Sequence, residues 1–191
     1  MGRGSVLMAT PLPDRASIVD EAAGRLRDLC DRLVAGPSAT AVLEAWCREH
    51  GASPGTHLVA DIVPCPDRPP SSAQRERLEL PRDGLVRYRR VRLTCAGRVL
   101  SEAENWYVPS RLTAAMNHLL DTSEVPFGRV VHDLAPARRN LGLRLLPAGR
   151  DPATAGPDAP LFAIEALLLR HDGLPLCEVA EIYTGAVLAQ G

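Results

Sequence analysis

The chain has no lysine; all 22 of its basic residues are arginines. They stand against 23 acidic residues, for a net charge of −1 and a pI near 6.5. That balance argues against a partner held by bulk positive charge, so no nucleic-acid partner is expected. Genome composition alone accounts for an all-arginine chain, so only the placement of an arginine carries information. Aromatic residues are scarce, at 4%, and aliphatic side chains must supply most of the core. No apolar run approaches the ~20 residues of a membrane-spanning helix, and the start, MGRGSVLMATPLP, lacks the apolar run of a signal peptide. The five cysteines, Cys30, Cys47, Cys65, Cys95 and Cys177, include no CxxC pair. Their odd number suits a reducing compartment, where they act as small buried hydrophobes. The expectation is a soluble, cytoplasmic protein without a membrane partner. Cysteines and histidines fall at no zinc spacing, and GxGxxG, P-loop and GxSxG motifs are absent from the sequence. No metal and no cofactor are expected.

What is present is enough for one domain: 191 residues, 46% of them hydrophobic. Residues 1–15 read as a flexible leader and 16–191 as the domain. Apolar residues recur at helical spacing from Ser17 to Ala35, with Ser17 as the cap and Gly36-Pro37 as the stop. Ser38 then caps a second helix, Ala39 to His50. Residues 57–63 read as a strand, and the proline- and serine-rich segment 64–73 as a loop. Segments 86–95 and 99–109 flank Ala96-Gly97-Arg98 as a hairpin, and 111–120 as a short helix. Residues 140–146 suggest another strand. A second hairpin follows over 161–170 and 174–185, turning at Asp172-Gly173, although LFAIEALLL by propensity alone is helical. The order predicts an α+β fold with a single antiparallel sheet and helices packed on it.

The strand VRYRRVRLTC carries arginines on both faces. Alternation puts Arg87, Arg89, Val91, Leu93 and Cys95 on one side, and Tyr88, Arg90 and Arg92 on the other. Val91, Leu93 and Cys95 mark the first side as the core side, so Arg89 points inward. A buried guanidinium needs an anion, because an unpaired buried charge costs several kcal/mol. That anion is either an internal carboxylate, such as Glu181 on the face of Val179 and Tyr183, or a ligand. The free N–H groups at the start of the second helix suit a carboxylate as well.

YRRVRLTCAGRVL, AENWYVPSRL, VPFGRVV and DGLPLCEVAEIY, in that order, resemble the chorismate lyase family over roughly residues 38–184. The resemblance implies a cavity enclosed under flaps and a cofactor-independent lyase. It would convert chorismate or a close relative to 4-hydroxybenzoate and pyruvate. It implies Arg89 as the arginine for the ring carboxylate when the turn at Ala96-Gly97 is matched, and Arg90 when Cys95 is the anchor; the face argument favours Arg89. It implies Glu181 at the reacting end, with Glu178 a poorer match, and ligand-facing backbone amides at Ala39, or its neighbours Ser38 and Thr40, and at Phe127. Where the family can carry a second arginine this chain has Asn105, a departure that disfavours a dianionic substrate. The implied partner is a small anionic molecule, and the implied assembly a monomer or small homo-oligomer. The rivals are an enzyme of the same fold acting on another biosynthetic intermediate and a non-catalytic small-molecule-binding domain. The latter fold also serves bacterial transcription regulators. That reading ranks low here, because fewer than 60 weakly basic residues precede the first expected strand.

Overall fold

A computed structural model describes residues 15–189. The expected leader lies almost wholly outside the described residues. Six strands form one antiparallel sheet in the order β1-β2-β3-β6-β5-β4: β1 Val59–Ile62, β2 Arg87–Cys95, β3 Arg98–Tyr107, β4 Ala137–Leu145, β5 Pro160–Leu169 and β6 Pro175–Thr184. The α+β expectation therefore holds.

Both hairpins carry glycine in the turn. Ala96 and Gly97 both take positive φ, 50° and 75°, the geometry that a two-residue hairpin turn requires. Gly173 takes φ 86° at the second turn. β5 is a strand despite its helix-favouring composition. It lies between β4 and β6, with Ile164 and Leu168 buried on one face and Leu167 on the other. A strand covered on both faces reads as a continuous apolar run, and tertiary packing overrides propensity.

Among the described residues, five α-helices attend the sheet. α1 (Arg15–Ala35) begins two residues before Ser17, which is thus inside the helix rather than its cap. α2 (Ala39–Glu49) is capped by Ser38, whose hydroxyl accepts from the Ala41 amide. α3 (Ser72–Arg77) starts in the last two residues of the expected loop 64–73 and continues beyond it; Ser71 and Gln74 make a reciprocal capping box. α4 (Ala114–Thr122) starts three residues later than expected, at a Thr113 cap, and a four-residue α5 (Phe127–Val130) follows.

Packing separates into three clusters. Leu26, Leu29 and Leu33 of α1 and Leu43 and Trp46 of α2 sit on Val91, Leu93, Phe162, Ile164 and Tyr183. On the same face, Leu112, Leu120, Phe127 and Val130 cover Tyr107, Leu168 and Cys177. On the opposite face, Leu78, just past α3, packs with Trp106, Val108 and Leu167. The cavity lies between the first two clusters.

Candidate functional site

Two helix starts and the middle of the sheet enclose a cavity of about 450 Å³. Its roof is the first turn of α2, Ser38–Ala41, beside Pro126, Phe127 and Gly128 at the start of α5. Its floor is Val91 and Leu93 of β2, Ala103 and Asn105 of β3, and Val179 and Glu181 of β6. The register fixes that floor: Val91 pairs with Ala103 and Ala103 with Glu181, while Asn105 pairs with Val179. Arg138 of β4 closes one side. Mostly apolar walls with a few convergent polar groups are typical of small-molecule sites.

The roof offers unused donors. Ser38 Oγ takes the Ala41 amide at 3.3 Å and the Ser38 carbonyl takes Val42 N–H at 3.1 Å. The amides of Ala39, Thr40, Phe127 and Gly128 have no partner among the described residues, and neither has the Thr40 hydroxyl. Thr40 is 9% exposed and lines the cavity. Gly128 allows α5 to approach α2 this closely. A Cβ there would stand 2.9 Å from Thr40 Oγ1 and 3.3 Å from Ser38 Oγ. Arg129 and Glu44 form an ion pair that ties α5 to α2, and Glu44 also accepts the Leu58 amide.

The floor carries a buried ion pair. Arg138 Nη2 donates to Glu181 Oε2 at 2.6 Å, with side-chain exposures of 3% and 5%. Arg138 Nε donates to Asn140 Oδ1 at 3.1 Å. Burial alone lowers the Arg138 pKa, but the attraction of Glu181 and the phenol of Tyr183 outweighs it, so the net shift is upward and the guanidinium stays charged. Asn105 is 3% exposed and donates to the Arg89 carbonyl at 3.4 Å.

Four of the five residues singled out from the sequence, Ala39, Asn105, Phe127 and Glu181, therefore line one cavity. Arg89 does not line it with them. It points inward, at 6% exposure, whereas Arg90 lies on the opposite face and donates to Glu102 at 2.7 Å. Arg89 Nη2 donates to the carbonyls of Ser123 and Val125, at 3.1 and 3.4 Å, and so holds the segment that delivers Phe127. Its Nε and Nη1 are buried without partners. Burial lowers its pKa, and the nearby Tyr107 and Asp121 act against that. Arg89 instead borders a separate recess of about 470 Å³, shared with Arg87 and Asp121. Glu181 pairs with Arg138, not with Arg89. Arg138 and His132 are polar lining residues that sequence reasoning missed. Arg138 stands ahead of the apolar run 140–146, and an edge strand read from residue 140 leaves it out. Glu178 faces the other way and is held by Arg77 at 2.7 and 2.8 Å. Among the described residues no cluster could hold a metal ion, and no helix is long and apolar enough to cross a membrane.

The fold is of a class seen in other solved structures. The effector domain of PhnF from Mycobacterium smegmatis superposes with a TM-score of 0.55 at 16% identity, over 78% of this chain and 90% of that one. The PhnF structure from the same organism gives 0.55 at 15% identity, over 94% of this chain and 89% of that one. No protein-family model matches the chain. Within that fold class, the chain belongs to the family of the uncharacterized protein y4mC of Sinorhizobium fredii (strain NBRC 101917 / NGR234), to which it is 41% identical over 182 residues, 88% of this chain and 77% of that one. These findings correct the expected membership of the chorismate lyase family, and with it the expectation of a lyase making 4-hydroxybenzoate and pyruvate. The quoted strand segments are those of a shared sheet, and a solved structure that shares it is an effector domain.

Proposed function

We propose that this protein is a non-catalytic domain that binds a small organic anion in the cavity between α2, α5 and the sheet. The observation that carries this reading is the roof: unpartnered amides at the first turn of α2 and the unpartnered hydroxyl of the buried residue Thr40 face a mostly apolar space. Such donors favour an anionic oxygen group. The amides of Phe127 and Gly128 stand beside it. Arg89 acts behind the wall, as a positioning residue for segment 123–127 and a source of positive field at the anion's end of the cavity. The likeness to the PhnF effector domain supports binding as the purpose of this fold. Glu181 is consistent with the same reading, since its Oε2 is already engaged by the buried Arg138 guanidinium. The low rank given to an effector domain from sequence is thus reversed, and the expected lack of a nucleic-acid partner has no support from the fold.

Thermal melting and calorimetry with cyclohexanecarboxylate test the proposal. The native protein should be stabilised saturably. Gly128→Ala, whose methyl group enters the roof, should melt within a few degrees of the parent and bind at least tenfold more weakly. Equal stabilisation of both proteins, or of neither, contradicts the assignment of the cavity.

A further inference from the structure

The cavity's polar groups are unevenly charged from end to end. The roof presents amides and one hydroxyl, all donors available to an anion and none of them neutralised. On the floor, the one arginine among the described lining residues is Arg138, and the one carboxylate is Glu181, and they are bonded to each other at 2.6 Å. Asn105 adds no charge, and the one polar ring among the described lining residues is His132. Ion pairs this deeply buried cost desolvation that an apolar replacement would avoid. What the pair supplies is a donor and an acceptor on the cavity floor at no net charge. The side chain of Arg138 reaches Glu181 across β5, because Arg138 pairs with Leu168 and Glu181 with Ile164 while the intervening Ala166 is small.

We infer that the cavity is a charge filter: it accepts a ligand with one anionic group, seated at the α2 end, and an uncharged hydrogen-bonding group at the floor, and it rejects a ligand with an anion at both ends. A second anion would have to displace Glu181 from Arg138 or lie beside the Glu181 carboxylate, and like charges in a low-dielectric cavity repel strongly. An uncharged hydroxyl or amide can instead donate to Glu181 and accept from the guanidinium without breaking the pair. This inference rests on the proposed binding role of the cavity.

Three probes of one shape test it by calorimetry: cyclohexanecarboxylate, trans-4-hydroxycyclohexanecarboxylate and trans-cyclohexane-1,4-dicarboxylate. The native protein should bind the hydroxy acid at least tenfold more tightly than the dicarboxylate. Glu181→Gln keeps the shape and frees Arg138, and it should raise dicarboxylate affinity at least tenfold. If the native protein binds the dicarboxylate as well as the hydroxy acid, the filter is wrong and the binding site stands. If it binds none of the three, the site assignment falls and the filter with it. A folded Glu181→Gln protein that binds the hydroxy acid and still rejects the dicarboxylate also overturns the inference. Should that variant fail to fold, the native selectivity ratio alone decides.

Discussion

Arg89 and Arg90 are neighbours in sequence and end on opposite sides of the sheet. Alternation explains that, and it was legible because Val91, Leu93 and Cys95 mark the core side. What Arg89 touches was not legible, since the Ser123 and Val125 carbonyls belong to a loop with no periodic signal. The outward arginines are ordinary surface chemistry. Arg90 and Arg92 both bond Glu102, at 2.7 and 3.0 Å. The hydrogen bond from Arg90 holds the Glu102 carboxyl below its usual range, with Arg92 adding to the effect against desolvation. A depressed carboxylate contributes stability above its unfolded value of about 4.3 and loses it as pH falls through the folded value. Glu102→Gln should therefore cost up to about 1 kcal/mol at neutral pH, as for exposed pairs. In urea titrations the deficit should shrink towards zero in strong acid; a constant deficit contradicts the assignment. Burial as small hydrophobes, expected of all five cysteines, holds for four of them. Cys30, Cys47, Cys95 and Cys177 are buried and Cys65 is exposed, with burial pushing Cys47 up to about 12 and Cys30 to about 11. A thiol reagent on the native protein should label Cys65 quickly and the other four only on unfolding.

Elements with a strong period were readable and those held by side-chain bonds were not. The two hairpins announced themselves through Ala96-Gly97 and Asp172-Gly173. α3 did not, because none of its residues is buried. It is held from outside, by Arg77 on Glu178 and by Arg111, which donates to the carbonyls of Leu78, Pro175 and Glu79 at 2.7, 2.5 and 3.0 Å. Burial lowers the Arg111 pKa, and Glu79 acts against it. Arg111→Ala leaves several carbonyls unsatisfied and should cost about 1–3 kcal/mol. Hydrogen exchange should show protection lost first around residues 74–80; loss spread evenly over the sheet argues against this attachment. The apolar pattern starts β4 at Asn140 whereas the strand starts at Ala137, and that difference of three residues hides Arg138. Its interior position follows from the pairing of Arg138 with Leu168 on β5, a contact no single-strand pattern contains.

At the scale of the molecule, one sheet carries two apolar clusters on one face, and the cavity occupies the gap between them. Its roof depends on how α2 is seated: Leu43 is fully buried and Trp46 Nε1 donates to the Val187 carbonyl at 2.7 Å. Leu43→Ala should destabilise the fold by about 2–5 kcal/mol. The sheet and most of the cavity wall could be anticipated from sequence, because alternation and turn residues are local signals. The charge state of the floor could not, because it depends on a pair 43 residues apart. The central claim is that the cavity between α2 and the sheet holds a small organic anion. Amide-resolved NMR during a titration with cyclohexanecarboxylate measures it at the atoms concerned. Saturable downfield shifts of the Ala39, Thr40, Phe127 and Gly128 amides are expected, larger than those elsewhere, with at least tenfold more ligand needed for half-saturation in Gly128→Ala. Saturable shifts confined to another part of the surface, or none at any concentration, would contradict it.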